Sequence, residues 1–458
     1  MAVIVPFKGI TYNFNRTDNI AGLFAPPYDV ISEEDMENYY KANPYNVIRL
    51  ILGKNKTGDT DWDNKYTRAA EYFHRWQSEN ILIRAKEPAM YLVATSFDPG
   101  DGKGIRTRWG FIALVRIEDE DSGVILPHER TFSAHKDDRL KLMKAANAQF
   151  SQIFGIYEDP EGIVSENFRH AADSKPQICF KSEDGIVNRM WIIENNSLLF
   201  KEVSEAMKDK KILIADGHHR YETARNFRDI MRIRYGKKSA NRSYEYVMMF
   251  LTNLNDRGLT ILPSHRLIRH VSSFDLNTFF EKLKEDFDIT ELPFRKESDS
   301  LEQLALLKQE METRGRTHHV IGFYTHMSDK LYLLTMKPAA KEHIGDDLHP
   351  VLKDLDVLIL SRLVLQKCLG FSKKDLDNEE IFHYTSDHKM ALSSVQSKDY
   401  EMAFLLNPTK IDQVRNIAEH SLVMPRKSTY FYPKITTGLV FNKIDPDEII
   451  PHEYGSES

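Results

Sequence analysis

Apolar residues change their spacing abruptly near the middle of the chain. Ile212, Leu213, Ile214 and Ala215 follow one another without interruption, the pattern of a short buried strand. Beyond the break, Tyr221, Ala224, Phe227 and Ile230 recur every third residue, while Glu222, Arg225 and Arg228 fall off that stripe. The two patterns are separated by Asp216-Gly-His-His-Arg220, with a glycine where the chain must turn. This predicts a strand–loop–helix unit with polar groups at the helix start.

Other segments follow the same logic. Tyr66, Ala69, Phe73 and Trp76 mark one face of a helix over 64–78. Strands are expected at 90–97 and 108–117, joined by the turn-rich 98–104, and at 246–254 and 259–263 around a hairpin turn at 255–258. Asp137 is placed to cap a helix running to about 148, with Leu140, Met143 and Ala146 inward. Beyond 270 the pattern alternates: helices at 274–287, 301–312, 355–369 and 409–420, strands at 318–324 and 330–335, and strand or mixed structure at 381–384, 390–394 and 402–406. No steady βαβ rhythm emerges, so the expected class is α+β, with mixed sheets and packed helices. Two α+β domains are expected, 1–270 and 271–458.

Composition narrows the function. Hydrophobic content of 41% with 28% charged residues is that of a soluble globular protein. A net charge of −6 gives no general attraction to nucleic acid or an anionic membrane, so any anion site must be local. Two cysteines, Cys179 and Cys368, suggest neither a disulfide framework nor a thiolate metal cluster. The apolar start is too short for a signal peptide and no apolar run spans a bilayer, so a cytoplasmic location is expected. Walker, H-E-x-x-H, C-x-x-C and G-x-S-x-G patterns are missing from the sequence.

Chemistry concentrates in the Asp216–Arg220 loop. Unpaired N–H groups and the helix dipole welcome an anion there, with Gly217 allowing close approach. Arg220 offers a planar fork for phosphate or carboxylate oxygens. His218 and His219 can donate hydrogen bonds or move protons. Asp216 can cap the helix, hold a histidine tautomer or accept a proton. The bland alternative is a solvated, capped loop. A second cluster joins His128 and Glu129 to Lys136 and Arg139: the cations suit another phosphate and Glu129 suits a base, although a solvated charge run accounts for it equally well. The rigid 25–31 segment can present Tyr28 and Asp29 to a ligand, or simply turn the chain. The stretch 424–434, which carries Lys427 among aromatic and hydroxyl residues, can close over a ligand or pack as an edge strand.

Taken together, these motifs closely resemble a widespread prokaryotic family of unknown function. Its members share a near-identical Asp216-Gly-His-His-Arg-Tyr-Glu-Thr-Ala224 stretch, Ala25–Ile31, His128-Glu129, Lys136 with Asp138-Arg139, and Pro425 with 427–433. Asp216-Gly-His-His-Arg220 also resembles, more distantly, the phosphate-binding motif of the ParB/sulfiredoxin-like superfamily, whose free-serine kinase branch has a very similar stretch. That resemblance implies a ParB-like strand–loop–helix core. It implies that His218, His219 and Arg220 hold nucleotide phosphates and that Asp216 binds Mg²⁺ or orients a hydroxyl. No cysteine stands in the loop, which excludes sulfiredoxin chemistry, and the acidic chain disfavours the DNA-binding branch. The expected function is phosphoryl transfer from ATP or ADP to a small metabolite, serine or phosphoserine being the suggested substrate. Alternatives are a nucleotide or phosphometabolite sensor and a phosphoserine-like phosphatase.

Overall fold

In a computed structural model, the protein is described for residues 1–129, 133–236, 241–269, 271, 274–293 and 300–451. The chain forms two compact units: Met1–Thr260 with the segment from Pro433 onward, and Ile261–Tyr432. The division thus lies ten residues before the expected 270, and the closing segment belongs to the first unit rather than the second. Long-range pairing draws it there: Asn442 and Lys443 pair with Gln149 and Ala148, and Phe441 bridges Ile10.

Among the described residues, the first unit is built on a nine-stranded sheet. Its order runs Ile125–Leu126, Ile212–Asp216, Ile153–Tyr157, Tyr246–Asn253, Arg106–Arg116, Ala89–Phe97, Val187–Glu194 and Ile178–Lys181, with Ile4–Val5 added beside Arg106–Arg116. Parallel and antiparallel pairs mix in this sheet. Tyr246–Asn253 lies between Arg106–Arg116 and Ile153–Tyr157, so the expected hairpin with 259–263 does not form. One sheet face carries Phe111, Ile153, Tyr157, Ile212, Ile214, Met249 and Leu251, and against it pack Leu199, Val203, Tyr221 and Ala224.

The helix expected to begin after Asp137 spans Ser133–Ala146, so Asp137 lies inside it and caps nothing. The helix touches both Lys65–Ser78 and His218–Tyr235, burying Leu142 and bringing Leu140 and Met143 against Phe227 and Met231. The helix expected at 64–78 forms as Lys65–Ser78, with Asn64 capping Tyr66 and Thr67.

Among the described residues, the second unit has a six-stranded sheet whose neighbours are all antiparallel. Leu304, Leu307 and Met311 of one helix, with Ala391, Leu392 and Val395 of another, cover one face. Phe279, Leu283 and the Val357–Cys368 side chains cover the other. Two elements differ from the sequence pattern. Residues 390–394 belong to the helix His388–Gln396, which Asp387 caps by accepting from Lys389 and Met390 N–H. The expected helix 274–287 is shorter, Leu276–Leu283, because Phe287 already begins a strand.

Candidate functional site

The strand Ile212–Asp216 does not run straight into its loop. Ile214 pairs with Gly155, yet Asp216 pairs with Phe154, so one residue bulges between them. Side chains alternate along a strand, so regular pairing would have aimed Asp216 with Ile214 into the core face. The bulge turns it instead to the face of Phe154, over whose ring the Arg108 guanidinium lies at 4.9 Å. Gly217 follows with φ of 92°, and the helix His218–Tyr235 begins at once.

Asp216 is held by two cations. Arg220 donates Nη2 to its Oδ2 at 2.6 Å, and Lys434 donates Nζ to its Oδ1. The second guanidinium arm of Arg220 donates to the Gln152 carbonyl. Burial opposes ionisation of Asp216, but Lys434 and Arg220 outweigh it and hold the carboxyl well below the usual carboxylate range. Arg108 is fully buried, donates Nη1 to the Pro433 carbonyl at 2.8 Å, and feels the fields of Asp256 and Asp216. Burial pushes its pKa down to about 9, which leaves it charged at neutral pH. Its Nε and Nη2 have no hydrogen-bond partner among the described residues.

Beside this node stands a histidine–glutamate pair. The parallel register of Ile125 with Ile212 and Leu126 with Leu213 carries the following residues, His128 and Glu129, alongside the loop. The His128 N–H donates to His218 Nε2 at 3.3 Å. A neutral ring that accepts at Nε2 carries its proton on Nδ1, and that atom lies 3.9 Å from Glu129 Oε2. The two histidine rings meet edge to face, with centroids 4.6 Å apart. Burial pushes both His218 and His128 down to about 3, so both are neutral near pH 7. His219 is half-buried next to them.

Other expected residues occupy neighbouring ground. Lys136 donates to Glu222 at 2.8 Å, linking two helices. Arg139 donates to the Ile51 carbonyl at 2.7 Å, pairs with Asp138, and stacks 4.0 Å over the Tyr28 ring. Arg139 and Arg220 both line a cavity of about 40 Å³ with Gln149, Ser151 and Thr223, room for a few waters rather than a metabolite. Asp29 is exposed. Lys427 belongs to the second unit, where its carbonyl accepts from Arg266. Sequence reasoning passed over Arg108, Gln152 and Lys434. The 424–434 stretch did stand out, but its chemistry was placed on Lys427 rather than on its last residue. Arg108 reads in sequence as an ordinary strand position.

A magnesium ion does not fit at Asp216 in this arrangement, because both carboxylate oxygens are already engaged by cations. Among the described residues, metal-like spacing occurs at Glu285, Asp286 and His343 of the second unit. There Lys367 already pairs with Asp286 at 2.7 Å and Glu285 at 3.1 Å. No helix among the described residues is long and apolar enough to cross a membrane.

Fold and site together define an α+β protein with a buried, ion-paired carboxylate at a strand–helix junction. The chain belongs to the family described as "Protein of unknown function (DUF1015)", whose model matches residues 4–358. No curated protein matches it. Among solved structures, it is similar to a conserved hypothetical protein from Pyrococcus furiosus, at 11% identity and TM-score 0.32, covering 71% of this chain and 92% of that one. It is also similar to a free serine kinase in complex with AMP, at 11% identity and TM-score 0.33, covering 70% and 86%. A third is SbnI with C-terminal truncation from Staphylococcus aureus, at 10% identity and TM-score 0.32, covering 71% and 84%. At such identity and score, neither the ligand nor the activity of those proteins transfers to this chain.

Proposed function

We propose that the protein is a nucleotide-dependent phosphotransferase acting on a small hydroxylated metabolite, with serine as the first acceptor to try and ATP or ADP as donor. The observation that carries this reading is the excess of buried positive charge at the strand–helix junction. Arg220 and Lys434 both pair with the carboxylate of Asp216, and the buried Arg108 feels Asp256 first and Asp216 second. Phosphoryl transfer asks mainly for positioning and charge neutralisation, which fixed cations at a helix start supply. The ParB-like resemblance of Asp216-Gly-His-His-Arg220 points the same way.

In this reading Arg220, Lys434 and the N–H groups after Gly217 bind phosphate oxygens. Asp216 positions its two cations and is too weak a base to take a proton. Glu129, with 30% of its side chain exposed and His218 Nδ1 beside it, accepts the proton of the attacking hydroxyl. His219 contacts phosphate, and Tyr28, Asp29 and His128 border the acceptor. Lys136 and Arg139 steady the adjoining helix, and Lys427 stays a candidate phosphate contact. Any Mg²⁺ enters with the nucleotide, and no step is assigned to it. The test incubates the full chain with serine, Mg²⁺ and either nucleotide, and follows phosphoserine by mass spectrometry. Formation of phosphoserine supports the assignment, and no turnover across a panel of hydroxyl acceptors overturns it. Binding of nucleotide without product would favour a sensor instead, and phosphate release from phosphoserine without nucleotide would favour a phosphatase.

A further inference from the structure

A second pocket of the first unit lies apart from Asp216. Its volume is about 450 Å³, within the range of small-molecule sites. Tyr157, which lines it, pairs with Ile212 at the beginning of the strand that ends in Asp216. Phe154, the partner of Asp216, stands three residues from Tyr157 on the same strand. That separation is about 10 Å along the strand, and an odd spacing puts the two side chains on opposite faces of the sheet. The pocket is therefore independent of the phosphate site and of the function proposed for it.

Its walls have the chemistry of a stacking site. Trp109 stacks on Trp191 with ring centroids 5.6 Å apart and planes at 25°. Although it lies in an interior strand of the sheet, Trp109 remains 37% exposed, and it lines the pocket. Phe111 and Phe168 stack at 4.9 Å and 29° and form a buried apolar wall. The charged lining is acidic. Arg169 is spent on Glu166 at 2.8 Å, while Glu161 is exposed and makes no ion pair among the described residues. An indole face stacks with an offset against another planar aromatic ring, and a neighbouring carboxylate accepts from N–H donors.

We infer that this pocket binds a planar aromatic ring with an amino group on its edge, stacked on Trp109 and directed toward Glu161. Adenosine is the probe, and inosine, which presents a carbonyl where adenosine has its amine, is the control. Calorimetry on the full chain should show saturable adenosine binding, with inosine at least about tenfold weaker, a difference of about 1.4 kcal/mol. Trp109→Ala should abolish binding. Glu161→Gln, at an exposed position, should remove most of the preference for adenosine. Ser165→Phe, also exposed and lining the pocket, should block binding by filling it. No adenosine binding at millimolar concentration overturns the site, as does unchanged binding in Ser165→Phe. Equal affinity for inosine overturns the amine recognition.

Discussion

Lys434 reaches across 218 positions of sequence to place its ammonium on the Oδ1 of Asp216. Both side chains are largely buried, at 14% and 11% exposed. Arg220 alone would leave one carboxylate oxygen uncompensated. Lys434→Met should therefore destabilise the first unit by about 3–5 kcal/mol, the usual cost of removing one partner from a buried ion pair. Urea titration measures this, and a change below about 1 kcal/mol would show that the pair adds little.

Arg220 holds Gln152 and Asp216 with separate arms of one planar group. A lysine has one compact ammonium and cannot span both. Arg220→Lys should fold, yet weaken ATP binding at least about tenfold by calorimetry. Undiminished affinity would remove Arg220 from the phosphate site.

Gly217 has φ of 92°, and a Cβ built there meets Arg220 Nε at 2.8 Å. Gly217→Ala should cost about 1–3 kcal/mol from backbone strain alone. It should also displace Arg220, so nucleotide affinity should fall with stability. A stable variant with normal binding would contradict the described loop.

His218 and His128 are neutral when folded, with pKa values pushed down to about 3, against 6.5 for an ordinary histidine. Between those values the unfolded chain binds more protons than the folded one. Stability from these rings is complete above about pH 6.5 and is lost as pH falls through the window, by up to about 1.4 kcal/mol per pH unit for each ring. Asp216, also shifted down, acts in the same direction below its ordinary value of 3.8. Denaturant midpoints at pH 7, 6, 5 and 4 should drop accordingly, and His218→Gln should flatten the slope. An unchanged slope would mean that His218 is not buried neutral.

Glu129→Gln keeps the shape beside His218 but removes the proton acceptor. ATP affinity should persist while phosphoserine formation falls about 100-fold. Loss of both together would make Glu129 a binding residue.

Much of the strand–loop–helix around Asp216 was legible because its signals are local. An apolar run, a glycine and a three-residue stripe all lie within about twenty residues, and Tyr221, Ala224 and Phe227 are indeed buried. What failed was non-local. Asp137 carries a capping signal, but the helix already runs from Ser133, four residues before it. The run at 390–394 is too short for periodicity to decide, and the cap at Asp387 decided it. The bulge that re-aims Asp216 depends on pairing with Phe154 and leaves no trace in composition. Lys434 was hidden because nothing in the 424–434 stretch names the strand end it will meet.

The return of the chain to the first unit after Tyr432 also orders events during synthesis. A ribosome releases Asp216 and Arg220 long before Lys434, and it makes the entire second unit in between. Domains fold largely as units while the chain emerges. The second unit can thus complete its own sheet while the first still lacks its last cation. The carboxylate of Asp216 spends that interval paired with Arg220 and without Lys434. A stalled or prematurely ended chain would yield a finished insertion on an unfinished host, with the strand–helix junction formed but Lys434 missing from Asp216 Oδ1.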